Sequence, residues 1–332
     1  MSEEFEDLSY RRQLLALRKL AGRVLLKFPV SNYKVKFINH GENTTYKISA
    51  KTGDFLLRLH RVDYHSEKAI EEELAWLERL SSSGEIKVPR AQKSLEGKSV
   101  IFENSKEIPK GKLCTLMSWQ KGSLIKRNAI GVKDLFKHGE LLGKLHDQSK
   151  NGKVKHRNYW SSDGLIGVNP KLGSILALKR YVAKKEFALI SEIRKLLHKR
   201  LSQYELNNPD KFGLIHVDLH FSNVVWSKGE VYPIDFDDCG YGAYAWDIAI
   251  VLHSLDACFK GVELRVMVDA FLNGYMSIRN LDFDDFKVLE DFRVARKLVL
   301  MGWLQARFDN EKLKEYFYSS LRSNLKEFEA YT

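Results

Sequence analysis

The chain contains 332 residues, enough to bury a large core and to form two domains. Hydrophobic residues make up 44% of it and prolines number only 6, which excludes an intrinsically disordered chain. The formal net charge of +11 is compatible with an anionic partner, but the basic residues are dispersed and no zinc-finger or RNA-binding signature occurs. We therefore expect a solvated basic surface and no nucleic-acid partner.

The start of the chain and its cysteines bear on the cellular compartment. The acidic opening, MSEEFEDLSY, lacks the basic-then-apolar order of a signal peptide, and apolar stretches such as AWDIAIVL are too short to span a membrane. Cys114, Cys239 and Cys258 lie in apolar surroundings without CxxC spacing, which predicts buried free thiols. These features predict a cytoplasmic protein that does not associate with membranes.

The first third of the chain is predicted to be rich in strands. Apolar residues recur with helical period from Leu8 to Leu26, and then with strand period on either side of Gly41 and Gly53. A helix is predicted over residues 66–80, with Ser66 as its N-cap. Two further strands are predicted at residues 99–103 and 113–119.

From about Gly131 onward, helical periodicity dominates. Helices are predicted in residues 132–149, 179–200 and 262–328, and the strand-like stretch in this part is Leu214–Asp238. We therefore predict an α+β fold of two lobes, with a nucleotide-binding N-lobe of residues 1–118 and a catalytic and acceptor-binding C-lobe of residues 119–332. The hinge is predicted at Trp119–Ser123.

The stretch Leu214–Asp238 places polar residues inside apolar runs, where burial is costly unless they find partners. Two short apolar runs flank a turn at Lys228–Gly229, which predicts a β-hairpin. This turn pairs Ser227 with Glu230 and Val225 with Tyr232. It also brings Asn223 next to Ile234 and Asp235, with Asp218 on the loop that enters the same end.

These three polar side chains suit phosphoryl transfer. Asn223 and Asp235 offer the oxygen ligands that Mg²⁺ prefers, and Asp218 is placed to accept a proton from a hydroxyl nucleophile. Turn capping would explain any one of them alone, but we favour the catalytic interpretation for three at this spacing.

The segments HVDLHFSNVVW and YPIDFDD resemble the H-x-D-x-x-x-x-N and hydrophobic-D pattern of the aminoglycoside phosphotransferase and choline kinase superfamily. The segment IDFDDCGYGAYAWDIA is most similar to its homoserine-kinase-like and stress-response-kinase branch. The resemblance covers most of the chain. It implies a bilobal protein-kinase-like fold, with a strand-rich N-lobe that has one key helix, and a mainly helical C-lobe.

The resemblance also implies a role for each motif residue. Asp218 would be the catalytic base, Asn223 and Asp235 would bind Mg²⁺, His216 would position the loop, and Asp247 would brace the loop from the start of a helix. The chain departs from protein kinases in having Val217 where their HRD motif has arginine.

The N-terminal third supplies candidate nucleotide-binding residues. Gly41, Thr44 and Thr45 suit a hairpin over the phosphates, although an ordinary turn explains them equally well. Arg58 occupies the family's lysine or arginine position, where it can contact phosphate oxygens. Among three consecutive glutamates, Glu73 has the spacing of the apolar helix face, which predicts an Arg58–Glu73 ion pair. Met117 to Trp119 would line the adenine pocket, or would form a plain core strand.

Two glycine motifs and the histidines could suggest a P-loop, a dinucleotide-binding site or a zinc site, but their spacing does not fit these functions. The GKS at residues 97–99 lacks the first P-loop glycine and is predicted to be a turn, and the GYG at residues 240–242 is predicted to be a tight turn. The histidines lack zinc-ligand spacing.

Three functions remain open. We favour a kinase that uses Mg²⁺ and ATP to phosphorylate a hydroxyl of a small amino alcohol, amino acid or sugar-like substrate. The alternatives are a protein Ser/Thr kinase of the stress-response type and an inactive binding protein. Only eleven residues separate Asp235 from Asp247, too few for a long activation segment. For the acceptor, an acidic stretch at residues 281–292 would suit an amine, whereas Arg293 and Arg296 would suit a carboxylate.

Overall fold

The computed structural model describes residues 5–149, 152, 154–168, 172–308 and 310–331. Contacts divide the chain into two compact units: Met1–Gly122 with Lys155–Arg157, and Ser123–Val154 with Asn158–Thr332. The short return of Lys155–Arg157 to the first unit is not evident from the sequence. The predicted assignment of nucleotide binding and acceptor binding to separate lobes stays a prediction.

The first unit contains helices α1 (Tyr10–Leu25) and α2 (Glu67–Ser83) and strands β1 (Lys34–His40), β2 (Thr44–Ala50), β3 (Gly53–Leu59), β4 (Val100–Glu103) and β5 (Lys112–Ser118). The strands form one antiparallel sheet in the order β1-β2-β3-β5-β4. The apolar face of α1, including Leu17, Leu20 and Val24, belongs to the same buried core as Ile48 and Leu57 of the sheet. Helix α2 begins at the predicted cap, because the Ser66 side chain accepts a hydrogen bond from the amide of Ala69 at 3.2 Å.

The second unit is mostly helical. Its elements are β6 (Ser123–Leu124), α3 (Val132–Asp147), β7 (Tyr159–Trp160), α4 (Ser162–Ile166), α5 (Lys184–Asn207), β8 (Phe212–Ile215), β9 (Val224–Ser227), β10 (Glu230–Pro233), β11 (Gly240–Ala243), α6 (Tyr244–Cys258), α7 (Gly261–Met276), α8 (Phe283–Gln305) and α9 (Glu311–Tyr331). The strands form two small three-stranded sheets, with the strand orders β10-β9-β6 and β7-β11-β8, and along the chain they alternate with the helices. The predicted hairpin is confirmed, because Ser227 pairs with Glu230 and Val225 with Tyr232.

Helices α3 and α7 approach each other closely through two glycines. A Cβ on Gly139 would lie 2.0 Å from the carbonyl oxygen of Phe271, and a Cβ on Gly274 would lie 2.0 Å from that of Phe136. Real Cβ atoms do not come this near to backbone oxygens, so the crossing requires glycine on both helices.

Two local predictions are wrong. Gly240–Gly242 lies in β11 and not in a tight turn, with Gly240 opposite Ile215 and Gly242 opposite Trp160. A Cβ at Gly240 would lie 2.3 Å from a backbone oxygen, so this glycine provides space within a sheet. Residues 179–200 are not one helix, because a 3₁₀ helix ends at Arg180 and α5 begins at Lys184. There the Glu186 carboxylate accepts a hydrogen bond from the amide of Ala183 and caps the new helix.

Other predictions can be compared directly with the structure. Gly97 has a φ of 80° in a turn closed by its amide donating to the Ser94 carbonyl, which confirms the predicted turn and not a P-loop. Cys114 and Cys239 are buried free thiols as predicted, but Cys258 is partly exposed. Among the residues that the structure describes, no helix has both the length and the apolar composition needed to cross a bilayer.

Candidate active site

The loop after β8 is held in a strained conformation by Asp247. Val217 is β-branched and has a φ of 73°, in the left-handed region that such residues avoid. Asp247, fully buried in the first turn of α6, accepts hydrogen bonds from the amides of His216 at 2.8 Å and Val217 at 2.6 Å. Its carboxylate therefore fixes the backbone just before Asp218.

A second layer of side chains orients Asp247. His146 on α3 lies with Nε2 3.2 Å from the Asp247 carboxylate and Nδ1 2.9 Å from the hydroxyl of Tyr275 on α7. Burial lowers the pKa of His146, although Asp247 opposes this shift, and a neutral ring can donate from Nε2 and accept at Nδ1. Sequence analysis missed His146 and Tyr275, since each lies on an apolar helix face far from the motif.

His216 links the loop to the hairpin. Its Nε2 donates to the carbonyl of Ile234 at 3.0 Å, and its Nδ1 accepts a long hydrogen bond of 3.4 Å from the amide of Asp218. Burial lowers the pKa of this histidine, which favours the neutral ring that this pair of contacts requires. His216 thus lies where a loop-positioning residue would be needed.

Asp218 is a partly exposed carboxylate surrounded by donors. Its Oδ2 receives a hydrogen bond from Nδ2 of Asn223 at 3.0 Å and lies 3.3 Å from Nε2 of His220, while Nη2 of Arg296 lies 3.4 Å from Oδ1. Burial by itself raises the pKa of Asp218, but His220, Arg296 and His216 together hold this pKa below its usual value. Because 32% of the side chain is exposed, an ionised carboxylate remains open to a reactant.

The hairpin brings the remaining motif residues to the same end. The carbonyl of Asn223 accepts a hydrogen bond from the amide of Ile234 at 2.9 Å, and the next residue, Asp235, is exposed with a φ of 62°. The Asn223 side chain donates to both the carbonyl and the carboxylate of Asp218, at 2.9 and 3.0 Å. The hairpin therefore places Asn223 beside Ile234 and Asp235, as predicted, and the Asn223 side chain contacts Asp218.

In the first unit, Arg58 and Glu73 form the predicted ion pair. The distance from Nη1 to Oε1 is 2.8 Å, and the side chains are 3% and 1% exposed. A third residue, Arg157, places Nη1 3.8 Å from the other oxygen of Glu73. One buried carboxylate thus serves two arginines, and the sequence gives no signal for the second, because Arg157 lies 84 residues further along the chain.

The neighbouring Glu72 holds the segment that carries Arg157. Its carboxylate accepts hydrogen bonds from the amides of Lys155, His156 and Arg157 at 2.8, 2.9 and 2.9 Å. Burial raises the pKa of Glu72, but the three backbone hydrogen bonds lower it more, so the net shift is downward. On helix α2, Glu72 therefore binds the backbone of segment 155–157, and the next residue, Glu73, contacts the side chain of Arg157.

The other residues predicted to bind nucleotide occupy ordered positions in the sheet of the first unit. The Thr44 hydroxyl lies 2.8 Å from Nδ1 of His40, and Thr45 lies opposite Arg58 across β2 and β3. Gly41 is in the loop between β1 and β2. Met117 is buried on β5, and the Trp119 ring lies under the Lys47 ammonium at 4.7 Å. Their roles in nucleotide binding stay predictions.

Comparison with known proteins identifies the family. Residues 34–281 match the model of the APH phosphotransferase enzyme family. The chain belongs to this family. The predicted superfamily and the kinase-like α+β fold are thus confirmed, and so is the predicted enzyme class, a phosphotransferase of the kinase type.

Individual relatives extend over nearly the whole chain. Amicoumacin kinase of Bacillus subtilis (strain 168) is 24% identical over 305 residues, which are 87% of this chain and 85% of that protein. A solved structure of a microcompartment-associated aminopropanol kinase is 26% identical with a TM-score of 0.81, covering 95% of this chain and 97% of that one. The amicoumacin kinase hAmiN in complex with AMP-PNP, Ca²⁺ and Ami is 23% identical with a TM-score of 0.79, covering 98% and 97%.

Proposed function

We propose that this enzyme transfers the γ-phosphoryl group of ATP to a hydroxyl of a small amino alcohol, amino acid or sugar-like acceptor. The observation that carries the proposal is Asp218, an accessible carboxylate with a lowered pKa on a loop that Asp247 fixes. Small-molecule kinases among the similar proteins support the acceptor class, as does the short segment between Asp235 and Asp247.

The reaction would proceed in line. The acceptor oxygen attacks the γ-phosphorus, its proton passes to Asp218, the bond from the γ-phosphorus to the bridging oxygen breaks, and ADP leaves. Asn223 and His220 hold the carboxylate so that one oxygen faces the hydroxyl. His216 positions the loop through its hydrogen bond to the Ile234 carbonyl.

Asn223 and Asp235 fit a divalent cation, for which we propose Mg²⁺. Asn223 uses Nδ2 for Asp218, so that Oδ1 is the atom offered to the cation, and Asp235 adds an exposed carboxylate at the same end of the hairpin. Both are hard oxygen ligands. When bound, Mg²⁺ would neutralise charge on the phosphates.

The first unit would bind the nucleotide. Arg58 is proposed to contact phosphate oxygens while Glu73 fixes its side chain. Gly41, Thr44 and Thr45 would lie over the phosphates in the hairpin, and Met117 and Trp119 would border adenine.

The test is ADP release from Mg·ATP with a panel of acceptors: homoserine, hydroxylysine, choline, methylthioribose, aminoglycosides and a generic protein. Asp218→Ala should bind ATP but lose turnover by roughly 10²–10⁴-fold, because it lacks the proton acceptor. The matched control is Ser222→Ala, which alters an exposed side chain on the same loop and should keep wild-type turnover.

Three results would change the proposal. Near-normal turnover by Asp218→Ala would remove its assignment as the base. Labelling of only the protein substrate would favour the stress-response type of kinase. Turnover with none of the acceptors, combined with no affinity for ATP, would contradict a kinase function altogether.

A further inference from the structure

Helix α8 presents three cations within little more than one turn, and two of them have carboxylate partners. Nη2 of Arg293 contacts both oxygens of Asp256, at 3.0 and 2.8 Å, and its Nη1 lies 3.1 Å from Glu290. Lys297 is hydrogen-bonded to Glu327. Arg293 and Lys297 are thus neutralised locally by acids that lie outside the proposed reaction centre.

The third cation, Arg296, faces the catalytic base instead. Its Nη2 lies 3.4 Å from Oδ1 of Asp218, and its guanidinium lies 6.0 Å from the centre of the Trp246 ring. The side chain is only 13% exposed, so water screens its charge poorly. Among the ion pairs of the described residues, the carboxylate that meets Arg296 is Asp218.

Arg296 has hydrogen-bonding capacity that Asp218 does not use. Its Nη2 contacts the carboxylate at 3.4 Å, whereas its Nε is buried without a hydrogen-bond partner among the described residues. His253, partly buried close by on α6, cannot supply a negative charge. Burial, together with Arg296, Lys297 and Arg293, lowers its pKa to about 3, and it stays neutral near pH 7. A carboxylate on the acceptor would accept hydrogen bonds from this guanidinium in the bidentate geometry that arginine favours.

Three carboxylates of the acidic stretch at residues 281–292 already have cationic partners. Asp282 and Asp285 both contact Lys211, at 2.6 and 3.1 Å. Asp291 is paired with Arg200 at 3.2 Å. Since these three carboxylates already have cationic partners, Arg296 is the group on α8 that is placed to bind an acceptor beside Asp218.

We propose that Arg296 is an acceptor-specificity residue that binds a carboxylate, so that the preferred acceptor is a hydroxy amino acid or other hydroxy acid. The proposal deepens the proposed function and rests on Asp218 being the base. In the complex, the acceptor's hydroxyl would bind Asp218 and its carboxylate would bind Arg296, each through a hydrogen bond of about 2.7–2.9 Å. Because Arg296 and Asp218 lie 3.4 Å apart, the hydroxyl and carboxylate oxygens of the acceptor can be at most about 9 Å apart. Short hydroxy amino acids fit within this limit.

Three pairs of compounds isolate the carboxylate. Serine and ethanolamine, threonine and 1-aminopropan-2-ol, and homoserine and 3-aminopropan-1-ol each differ only by this group. The measurement is kcat/KM for Mg·ATP-dependent phosphorylation of each compound. Wild type should prefer the carboxylate member of at least one pair by tenfold or more.

Substitution of Arg296 then tests the cause of that preference. In Arg296→Gln the ratio within the pair should fall at least tenfold, through a higher KM for the carboxylate member, and Arg296→Lys should retain part of it. The ratio cancels any effect on Asp218 that is common to both members. Lys287→Gln, which removes an exposed charge from the same helix, is the matched control and should leave the ratio unchanged.

Several outcomes would overturn the proposal. One is a wild-type preference for the amino alcohols, and another is an equal effect of Arg296→Gln on both members of a pair. No turnover with all six compounds, while another acceptor on the panel is phosphorylated, would overturn the specificity but not the kinase function. No Asp218-dependent turnover with any acceptor would contradict both.

Discussion

At the residue scale, one carboxylate fixes the backbone of the loop that carries Asp218. Asp247 accepts two backbone hydrogen bonds from consecutive residues, one of which, Val217, has a positive φ. A strained backbone persists only where its surroundings hold it. Asp247 therefore acts on the position of Asp218 without touching it.

Asp247→Asn tests whether this carboxylate holds the loop that carries Asp218. An amide in place of the carboxylate directs an NH₂ group at a backbone N–H or at His146, and the unfolding free energy should fall by roughly 1–3 kcal/mol, the cost of leaving a buried donor unsatisfied. The turnover number should also fall. Urea unfolding and kcat measured on the same preparations test this, with the exposed Asp269→Asn on α7 as control. Unchanged stability would show that the loop is held by other contacts.

The sequence predicts those site residues whose positions follow from local periodicity. Glu73 is identified by helical spacing alone, and the proximity of Asn223 to Asp235 follows from the hairpin register. Arg157, His146 and Tyr275 are not predictable in this way, because tertiary packing places them. For the acceptor, the sequence left an amine and a carboxylate open, because the carboxylate that we propose for Arg296 rests on the ion pairing along α8.

At the element scale, helix α2 organises a segment that is remote in sequence. Three backbone amides converge on Glu72, while Glu73 meets the arginine of that segment. Hydrogen bonds from several amides to one ionised carboxylate are stronger than neutral ones. The segment 155–157 should therefore be as protected as the helix that holds it.

Glu72→Ala should release this segment. The amides of Lys155, His156 and Arg157 would lose their acceptor, and their hydrogen exchange should accelerate by at least tenfold. Hydrogen exchange followed by mass spectrometry provides the measurement. The control is Glu71→Ala, which removes an exposed carboxylate from the preceding position of α2. Equal exchange in both variants would mean that other contacts hold the segment.

Two of the helices and the hairpin were predictable, whereas two other short strands were not. Periodicity identified α2, α3 and the hairpin, whereas β7 has only two residues and β11 consists largely of glycine and tyrosine. In β11, close approach to neighbouring backbone determines the residue type, and a single sequence does not reveal that constraint.

At the scale of the whole molecule, buried histidines make stability depend on pH. His138 lies edge-on between Phe221 and Phe271, and burial lowers its pKa to about 3. The unfolded chain takes up a proton below about pH 6.5, whereas the folded chain does not until about pH 3. The stability contributed by the neutral ring is thus present above pH 6.5 and lost as the pH falls toward 3.

His138→Leu should reduce this dependence. One such histidine changes the unfolding free energy by roughly 1.4 kcal/mol per pH unit below pH 6, so the variant should show a slope smaller by about that amount. Urea unfolding of wild type and variant between pH 6 and pH 4.5 gives the two slopes. Parallel curves would mean that His138 is protonated in the folded protein.

The close contact of α3 and α7 at Gly139 and Gly274 limits which substitutions this enzyme tolerates. Gly274 directly precedes Tyr275, and α3 also carries His146, so the distance between the two backbones sets the support of Asp247. A single added methyl group at the crossing would force the two helices apart and so shift His146 and Tyr275, which orient Asp247. The cation proposed to choose the acceptor lies on α8, outside that crossing. On the proposed roles, substitutions on α8 would change the acceptor while the loop that carries Asp218 keeps its geometry.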